Sequence, residues 1–500
     1  MVQTWDQEFD TPLYKGKVSV KTGLFINNEW VESSGNTRID AIDPSTGEVI
    51  TTIADATASD VDTAVQAAKK AFYTTWGTKI AASERGRLLN KLADLVERDA
   101  DQLAAIESRD AGKFFPHARH MDVVNVVTTM RYYAGWADKG TGETIETNET
   151  KFAYTRHEPI GVVAAIVPWN FPLMIAGWKI GPALATGNSL IIKPSEVTSL
   201  SMLYFADLVK EAGFPPGAFN VITGNGRTAG QALSEHEDIR KLSFTGSTPT
   251  GRRVLETSAK TNLKRVTLEL GGKTATVVFD DADLEQAVKW SALGIFFHSG
   301  QMCTAGSRIF VHSKIYDEFV KGLTAAAQAA KGGNGFDPSC TSGPVVSEAQ
   351  FERVLGYINA GKAAGATVVT GGERIGDKGY YIQPTIFANA NPDSKIVREE
   401  IFGPVAVIAK FETDEEALQL ANDTTFGLST NVFTTNLNRA INFANKAESG
   451  SVYVNVASFP DVQHTFGGFK QSGFGKDLGK DALEAYTQVK AVHINIGAKA

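Results

Sequence analysis

Only two cysteines occur in the 500-residue chain, Cys303 and Cys340. Cys303 lies in GQMCTAGSR (300–308), among small and polar residues, with Gly300 and Gly306 on either side. A cysteine that fills a core sits among apolar neighbours. A nucleophilic cysteine needs open space and a base. Taken alone, Cys303 fits a nucleophile or a small apolar residue near a turn. The candidate base is Glu269, an acid between Leu268 and Leu270 in VTLELGGK (266–273). Apolar surroundings raise a carboxyl pKa and suit a general base near neutrality. Strand alternation allows the opposite reading, with Glu269 turned out to water.

Three further stretches could hold an anion or a sugar. In IIKPSEVTSL (191–200), Lys193 and Glu196 follow a β-branched run. Such a pair can donate to and accept from a ribose diol, or be a solvated loop pair. In FTGSTPTG (244–251), Ser247 precedes a helical stretch, whose first N–H groups can hold a phosphate or simply be capped. GNGRTAG (224–230) has Gly-x-Gly between a strand and a helix but lacks the full dinucleotide spacing. GGKT (271–274) is not a P-loop, because Thr267 stands where the rule needs glycine. There is no HExxH, no Cys/His metal cluster and no GxSxG, and the eight histidines are scattered. Two Asn-x-Thr sequons, 148–150 and 422–424, carry no weight without a secretory signal.

These residues must be positioned by an α/β framework. A helical pattern over 55–74 is expected to start at Ser59, and a second over 83–108 at Ser83. Apolar runs at 160–168, 188–194, 218–224 and 241–246 alternate with helical stretches at 178–187, 199–213 and 228–237. That rhythm predicts a parallel sheet covered by helices, with ligands at the carboxyl ends of its strands. A second α/β block runs from about residue 271 through TATVVF, SRIFVHS, FVKGLTAAAQAAK, ATVVTGG, TIFANA and VAVIAKF to SVYVNV (451–456). Residues 141–159 and 485–496 are strand-like and exposed. They could pair with a neighbouring subunit or form edges within one chain.

Composition narrows the function classes. With 43% hydrophobic and 21% charged residues the chain is an ordinary globular protein. A net charge of −7 leaves no basic footprint for nucleic acid or anionic membrane, so the expected partner is a small molecule. The longest apolar run, 162–168, is far too short to span a bilayer. The N-terminal stretch, with Asp6, Glu8 and Asp10, matches neither a secretory signal nor a transit peptide. Two cysteines suit a reducing compartment, which disfavours a Cys303–Cys340 disulfide and makes the cytoplasm the expected location.

Taken together, the chain resembles the NAD(P)-dependent aldehyde dehydrogenase superfamily from GLFINNEW (23–30) to AYTQVKAVHI (485–494). The specific stretches are VPWNFP (167–172), KPSE (193–196), FTGST (244–248), LELGGK (268–273), GQMC (300–303), EEIFGP (399–404) and FGGFKQSGFG (466–475). The pattern is most similar to broad-range cytosolic or mitochondrial members, with fungal-like segments at LYFADLVKEAGFPPG and FAYT. The resemblance implies Cys303 as nucleophile, Glu269 as base and Asn170 as oxyanion donor. It implies NAD held by Ile166, Trp169, Lys193, Glu196, Gly226, Gly230, Phe244, Ser247, Glu400 and Phe402. It places Phe171, Met174, Trp178, Met302, Phe459 and Phe466 along a substrate tunnel.

The implied fold is a Rossmann-like NAD-binding domain (1–139 and 160–270), a catalytic α/β domain (271–480) and a small bridging sheet (140–159 and 481–500). The bridging sheet would make a homo-oligomer, dimer or tetramer. No metal is expected. Glu196 at a ribose 2′-oxygen favours NAD over NADP. One departure from the family pattern is His464-Thr465 before FGG, where proline is usual. With Phe459-Pro460 it should alter the tunnel mouth. The expected reaction is oxidation of an aldehyde to a carboxylic acid through a cysteine thioester. The rivals are a CoA-acylating relative and a noncatalytic protein of the same fold.

Overall fold

The computed structural model describes residues 2–457 and 460–499. Its first sheet has eight strands in the order Gly473–Phe474, Arg265–Glu269, Lys241–Thr245, Val162–Ile166, Ser189–Lys193, Phe219–Val221, Leu24–Ile26 and Glu29–Val31. The middle five are parallel, and the flanking ones are antiparallel. From the central Val162–Ile166 the chain builds outward first on one side, then returns to build the other. Strand order therefore reverses beside Ile166, which opens a crevice at the carboxyl ends. This is the expected Rossmann-like arrangement. Val162–Ile166 and Ser189–Lys193 are apolar along almost their whole length because helices cover both faces.

The second sheet has seven strands, in the order Thr367–Thr370, Thr385–Ala388, Val405–Phe411, Arg308–His312, Ala275–Val278, Ser429–Phe433 and Ser451–Val454. All but the first are parallel. Ser429–Phe433 escaped the sequence reading because its polar residues interrupt the apolar run. It is nevertheless fully buried, and Asn431 Nδ2 donates to Thr276 Oγ1 on the neighbouring strand at 3.1 Å. The two strand-like segments pair with each other. Lys151–Pro159 runs antiparallel to Thr487–Asn495 over nine residue pairs, with Thr144–Ile145 on its far side.

Several helix boundaries differ from expectation. The first helix, Ala58–Thr74, is capped by Thr57 rather than Ser59. Thr57 and Asp60 form a reciprocal capping box, and the Asp60 carboxylate also accepts from Ser33 and Ser34. The single helix expected over 83–108 is two, Ala82–Arg98 and Ala100–Ala111, broken at Asp99, and the first has Ala81 rather than Ser83 at its cap position. The helix expected at 178–187 begins earlier, as Pro172–Ala185, with Pro172 in the first position that proline favours. It runs straight out of VPWNFP and so sets the direction of Asn170 and Phe171. The helix expected at 228–237 opens with a wide π-turn, Gly226–Gly230, before Gln231–Glu235.

The capping box predicts that Thr57→Ala will destabilise the protein by about 1 kcal/mol. Differential scanning calorimetry should show a lower melting midpoint, while the Ser59→Ala control should leave it unchanged.

Candidate active site

Glu269 ends its strand where the two sheets meet. The two glycines that follow allow an unusually close seam. A Cβ on Gly271 would lie 2.4 Å from Glu400 Oε2, and one on Gly272 would lie 2.1 Å from the Cys303 carbonyl oxygen. Gly300 has φ +69°, and a Cβ there would meet the Gly403 carbonyl oxygen at 2.1 Å. LELGGK, GQMC and EEIFGP are thus brought together where Gly272 and Gly300 meet backbone that leaves no room for a side chain, and Gly271 meets the Glu400 carboxylate.

Glu269 does not face water. It is 4% exposed, and neither carboxylate oxygen has a hydrogen-bond partner. Burial raises its pKa well above the ordinary carboxyl range. Asp477 adds to the rise, and Lys179 and Lys476 oppose it. Cys303 is a free thiol, as is Cys340. Burial, followed by the charges of Glu400 and Glu269, pushes the Cys303 pKa up to about 12. The backbone N–H groups of Cys303 and Thr304 act against this by favouring thiolate. Asn170 is buried, and its Nδ2 donates to the Gln301 carbonyl at 2.9 Å.

Cys303 and Glu269 share the wall of a cavity of about 350 Å³ with Phe171, Met174, Trp178, Met302 and Phe466. Phe459 lies outside the described residues. Pro460 is on the wall, but His464 is not, and its side chain is 75% exposed. The sequence reading missed Phe297 and Asn125. Phe297 directly precedes the loop to Cys303 and stacks near-parallel to Phe171, with centroids 6.5 Å apart. Asn125 accepts from Trp178 Nε1 at 2.8 Å and so fixes that ring. The aromatic pair FF before HSGQMC was the signal for Phe297; nothing local marked Asn125.

The other candidates gather at the carboxyl ends of the first sheet. Lys193 is 1% exposed, and its Nζ lies 3.2 Å from Glu196, whose side chain is one-third exposed, so the pair is open to solvent only at its carboxylate. The Gly226 N–H donates to the other Glu196 oxygen at 3.4 Å. At Gly230 a Cβ would sit 3.9 Å from the Lys193 stem and 4.0 Å from Ile166. Phe244 lies against Gly246, just beyond the end of its strand. Ser247 stands at the cap position of the helix Thr248–Lys260 without capping it; its Oγ is 2.9 Å from Thr250 Oγ1. Thr245 and Thr248 each bury a hydroxyl with no partner beside it. Trp169 meets Phe402 edge to face at 5.1 Å, and Phe402 has φ +59°. Glu400 accepts from the Gly272 N–H at 2.9 Å, and burial pushes its pKa up to about 7. This crevice fits a dinucleotide: a buried lysine paired with a part-exposed glutamate, unpartnered hydroxyls at a strand end and a helix start, and small residues between them.

A family model described as the aldehyde dehydrogenase family matches residues 30–492. The chain belongs to that family. It is 52% identical to an aldehyde dehydrogenase of Agaricus bisporus over the full length of both chains. It is 53% identical to one of Emericella nidulans, covering 98% of this chain and 97% of that one. Among solved structures, an NAD+ complex of an aldehyde dehydrogenase from Bacillus cereus superposes with a TM-score of 0.94 at 45% identity, covering 95% and 97% of the two chains. The enzyme oxidises aldehydes to carboxylic acids, and its cofactor is NAD. Among the described residues, no helix is long and apolar enough to cross a membrane and no cluster could hold a metal.

A thiol held far above neutrality is almost wholly protonated, so its thiolate fraction climbs roughly tenfold per pH unit. In the Cys340→Ser background, iodoacetamide alkylation of Cys303 without cofactor should still be accelerating at pH 10. A plateau near pH 7 would contradict the buried-thiol state.

Proposed function

We propose that Cys303 is the nucleophile, Glu269 the general base and Asn170 the oxyanion donor of this aldehyde dehydrogenase. The observation that carries the reading is a buried carboxylate with no hydrogen-bond partner, sharing one apolar cavity with the thiol. An unpartnered buried carboxyl is costly, and a catalytic site is where such a cost is retained.

Cys303 attacks the aldehyde carbonyl and forms a carbon–sulfur bond. The resting thiol is neutral and must lose its proton as it attacks. Glu269 in its ionised form is the acceptor in the cavity, and its raised proton affinity favours the transfer. Asn170 has two amide hydrogens. One is tied to the Gln301 carbonyl, which leaves the other for the oxyanion together with the Cys303 N–H. Such preorganised donors are worth about 3–4 kcal/mol each. Bound NAD+ supplies a hydride acceptor. Glu269 passes the thiol proton to solvent and then takes a proton from water, which attacks the Cys303 thioester. Carbon–sulfur cleavage frees the acid, and the proton held by Glu269 returns to the sulfur and restores the thiol.

Lys193 and Glu196 would hold the adenosine ribose hydroxyls, and Ser247 a phosphate. Ile166, Gly226, Gly230 and Phe244 would line the adenosine side. Trp169, Glu400 and Phe402 would line the nicotinamide side. The Glu196 carboxylate disfavours a 2′-phosphate, so the reading includes NAD over NADP. The mostly apolar cavity, walled by Phe171, Met174, Trp178, Met302 and Phe466, suits aliphatic or aromatic aldehydes.

The domain reading is NAD binding by 1–139 and 160–270, catalysis by 271–480 and oligomerisation by 140–159 and 481–500. Exposed Phe152, Val489, Ile494 and Ile496 on the small sheet support a dimer or tetramer. The charge and cysteine content support the cytoplasm.

Cys303→Ala should lower dehydrogenase turnover by at least about a thousandfold, measured as NADH formation. Glu269→Gln should lower it about a hundredfold or more, with labelled acyl-enzyme accumulating on Cys303. Wild-type-like turnover in the first variant, or no trapped thioester in the second, would overturn the assignment. Wild type should release free acid, not acyl-CoA, when CoA is present, and kcat/KM should favour NAD over NADP.

A further inference from the structure

The loop into the nucleophile has an unusual backbone. His298, Ser299 and Gly300 have φ of 48°, 54° and 69°, three consecutive residues in the left-handed region. Side-chain-bearing residues adopt it only where the surroundings hold them there. Ser299 is held by its hydroxyl, which donates to the Gly343 carbonyl at 2.6 Å. His298 is held differently. It is 4% exposed, and its ring packs edge-on against Phe171 at 5.4 Å, facing the backbone carbonyl of Asn170. Its Nε2 has no hydrogen-bond partner.

The connections close into a triangle. The Gln301 backbone N–H and side-chain amide both donate to the His298 carbonyl, at 3.2 and 3.1 Å. The Gln301 carbonyl in turn accepts from Asn170 Nδ2 at 2.9 Å. Burial, with Lys113 and His117 adding to it, holds the His298 pKa well below its ordinary value, so the ring is neutral. A neutral imidazole has one N–H donor and one bare acceptor. The unpartnered Nε2 is then the bare nitrogen, and the N–H is left for the Asn170 carbonyl.

We propose that His298 is a positioning residue. Its ring N–H anchors the Asn170 main chain and its ring edge wedges Phe171, so that the Asn170 amide is fixed relative to Cys303. His298 is absent from the cavity wall and so acts through Asn170 and the Phe171 ring. The proposal rests on the reading of Asn170 as oxyanion donor.

The test compares His298→Leu, His298→Asn, Asn170→Ala and the Asn170→Ala/His298→Leu double variant. kcat, KM for the aldehyde, the iodoacetamide rate at Cys303 and the melting midpoint are measured for each. His298→Leu should lose about 10- to 100-fold in kcat, the scale of a small misplacement in an active site, with KM changed less than about twofold. Alkylation should stay near wild type, and any fall in the melting midpoint should not track kcat across the variants. His298→Asn, whose amide can replace the ring N–H, should recover most of kcat. The double variant should be no slower than Asn170→Ala. Unchanged kcat in His298→Leu, no recovery in His298→Asn, or alkylation and melting falling in step with kcat would each overturn the positioning role. Full kcat in Asn170→Ala would instead overturn the oxyanion reading.

Discussion

The active site depends on how closely two sheets can approach. Gly271, Gly272 and Gly300 sit where any Cβ would strike Glu400, the Cys303 carbonyl or the Gly403 carbonyl. Without these contacts the end of the Glu269 strand, the Cys303 loop and the Glu400 loop could not share one seam. Each comes from a different part of the chain, and the chemistry exists only at their junction. The close approach also excludes water from the carboxyl and leaves the thiol only partly exposed. Their perturbed proton affinities follow from the same packing that brings them together.

The electrostatics follow from that exclusion. Burial is the largest cause of the shifts at Glu269, Glu400 and Cys303, and all three are displaced toward the protonated, uncharged form. The resting site is therefore low in charge. Charge develops when the thiol attacks, and preformed donors then gain most, because they need not reorganise in a region poor in water. Lys179, buried in the helix that follows Asn170, pairs with Asp477 on the cavity wall. That pair leaves Glu269 without a direct cationic partner, which would otherwise hold it ionised and weaken it as a base.

The alternating pattern of parallel strands and helices was legible because buried parallel strands are apolar on both faces. Ser429–Phe433 was not, because its polar side chains bond to a neighbouring strand rather than to water. The burial of Glu269 was undecided in the sequence for a related reason. Its strand has an exposed start, but Leu268 and Glu269 are both buried at its end. Alternation fails there because the strand enters the seam between sheets. The setting of the Lys193–Glu196 pair was left open because a local stretch does not show what packs over a strand end. The left-handed turn at His298 carried no signal, because glycine and asparagine are the usual markers of that conformation. The assignment of Cys303, Glu269 and Asn170 came from the family resemblance; the residues alone left Cys303 and Glu269 ambiguous and did not single out Asn170.

Topology also separates the two candidate ligand sites. Strand order reverses beside Val162–Ile166, so the crevice opens next to Ile166 and continues past Lys193 on one side and Ser247 on the other. The aromatic cavity lies along the helix Pro172–Ala185, which begins directly after Asn170 and carries Met174 and Trp178 on its wall. VPWNFP is the short connection between them. Its start leaves the central strand toward the crevice, and its end enters the helix that walls the cavity. Asn170 is therefore placed at the boundary by the shortest route the chain can take. A shift of that connection would move the proposed oxyanion donor and one wall of the cavity together. This couples turnover to the packing of Phe171, and it explains why the residues behind that ring can matter to catalysis without touching substrate.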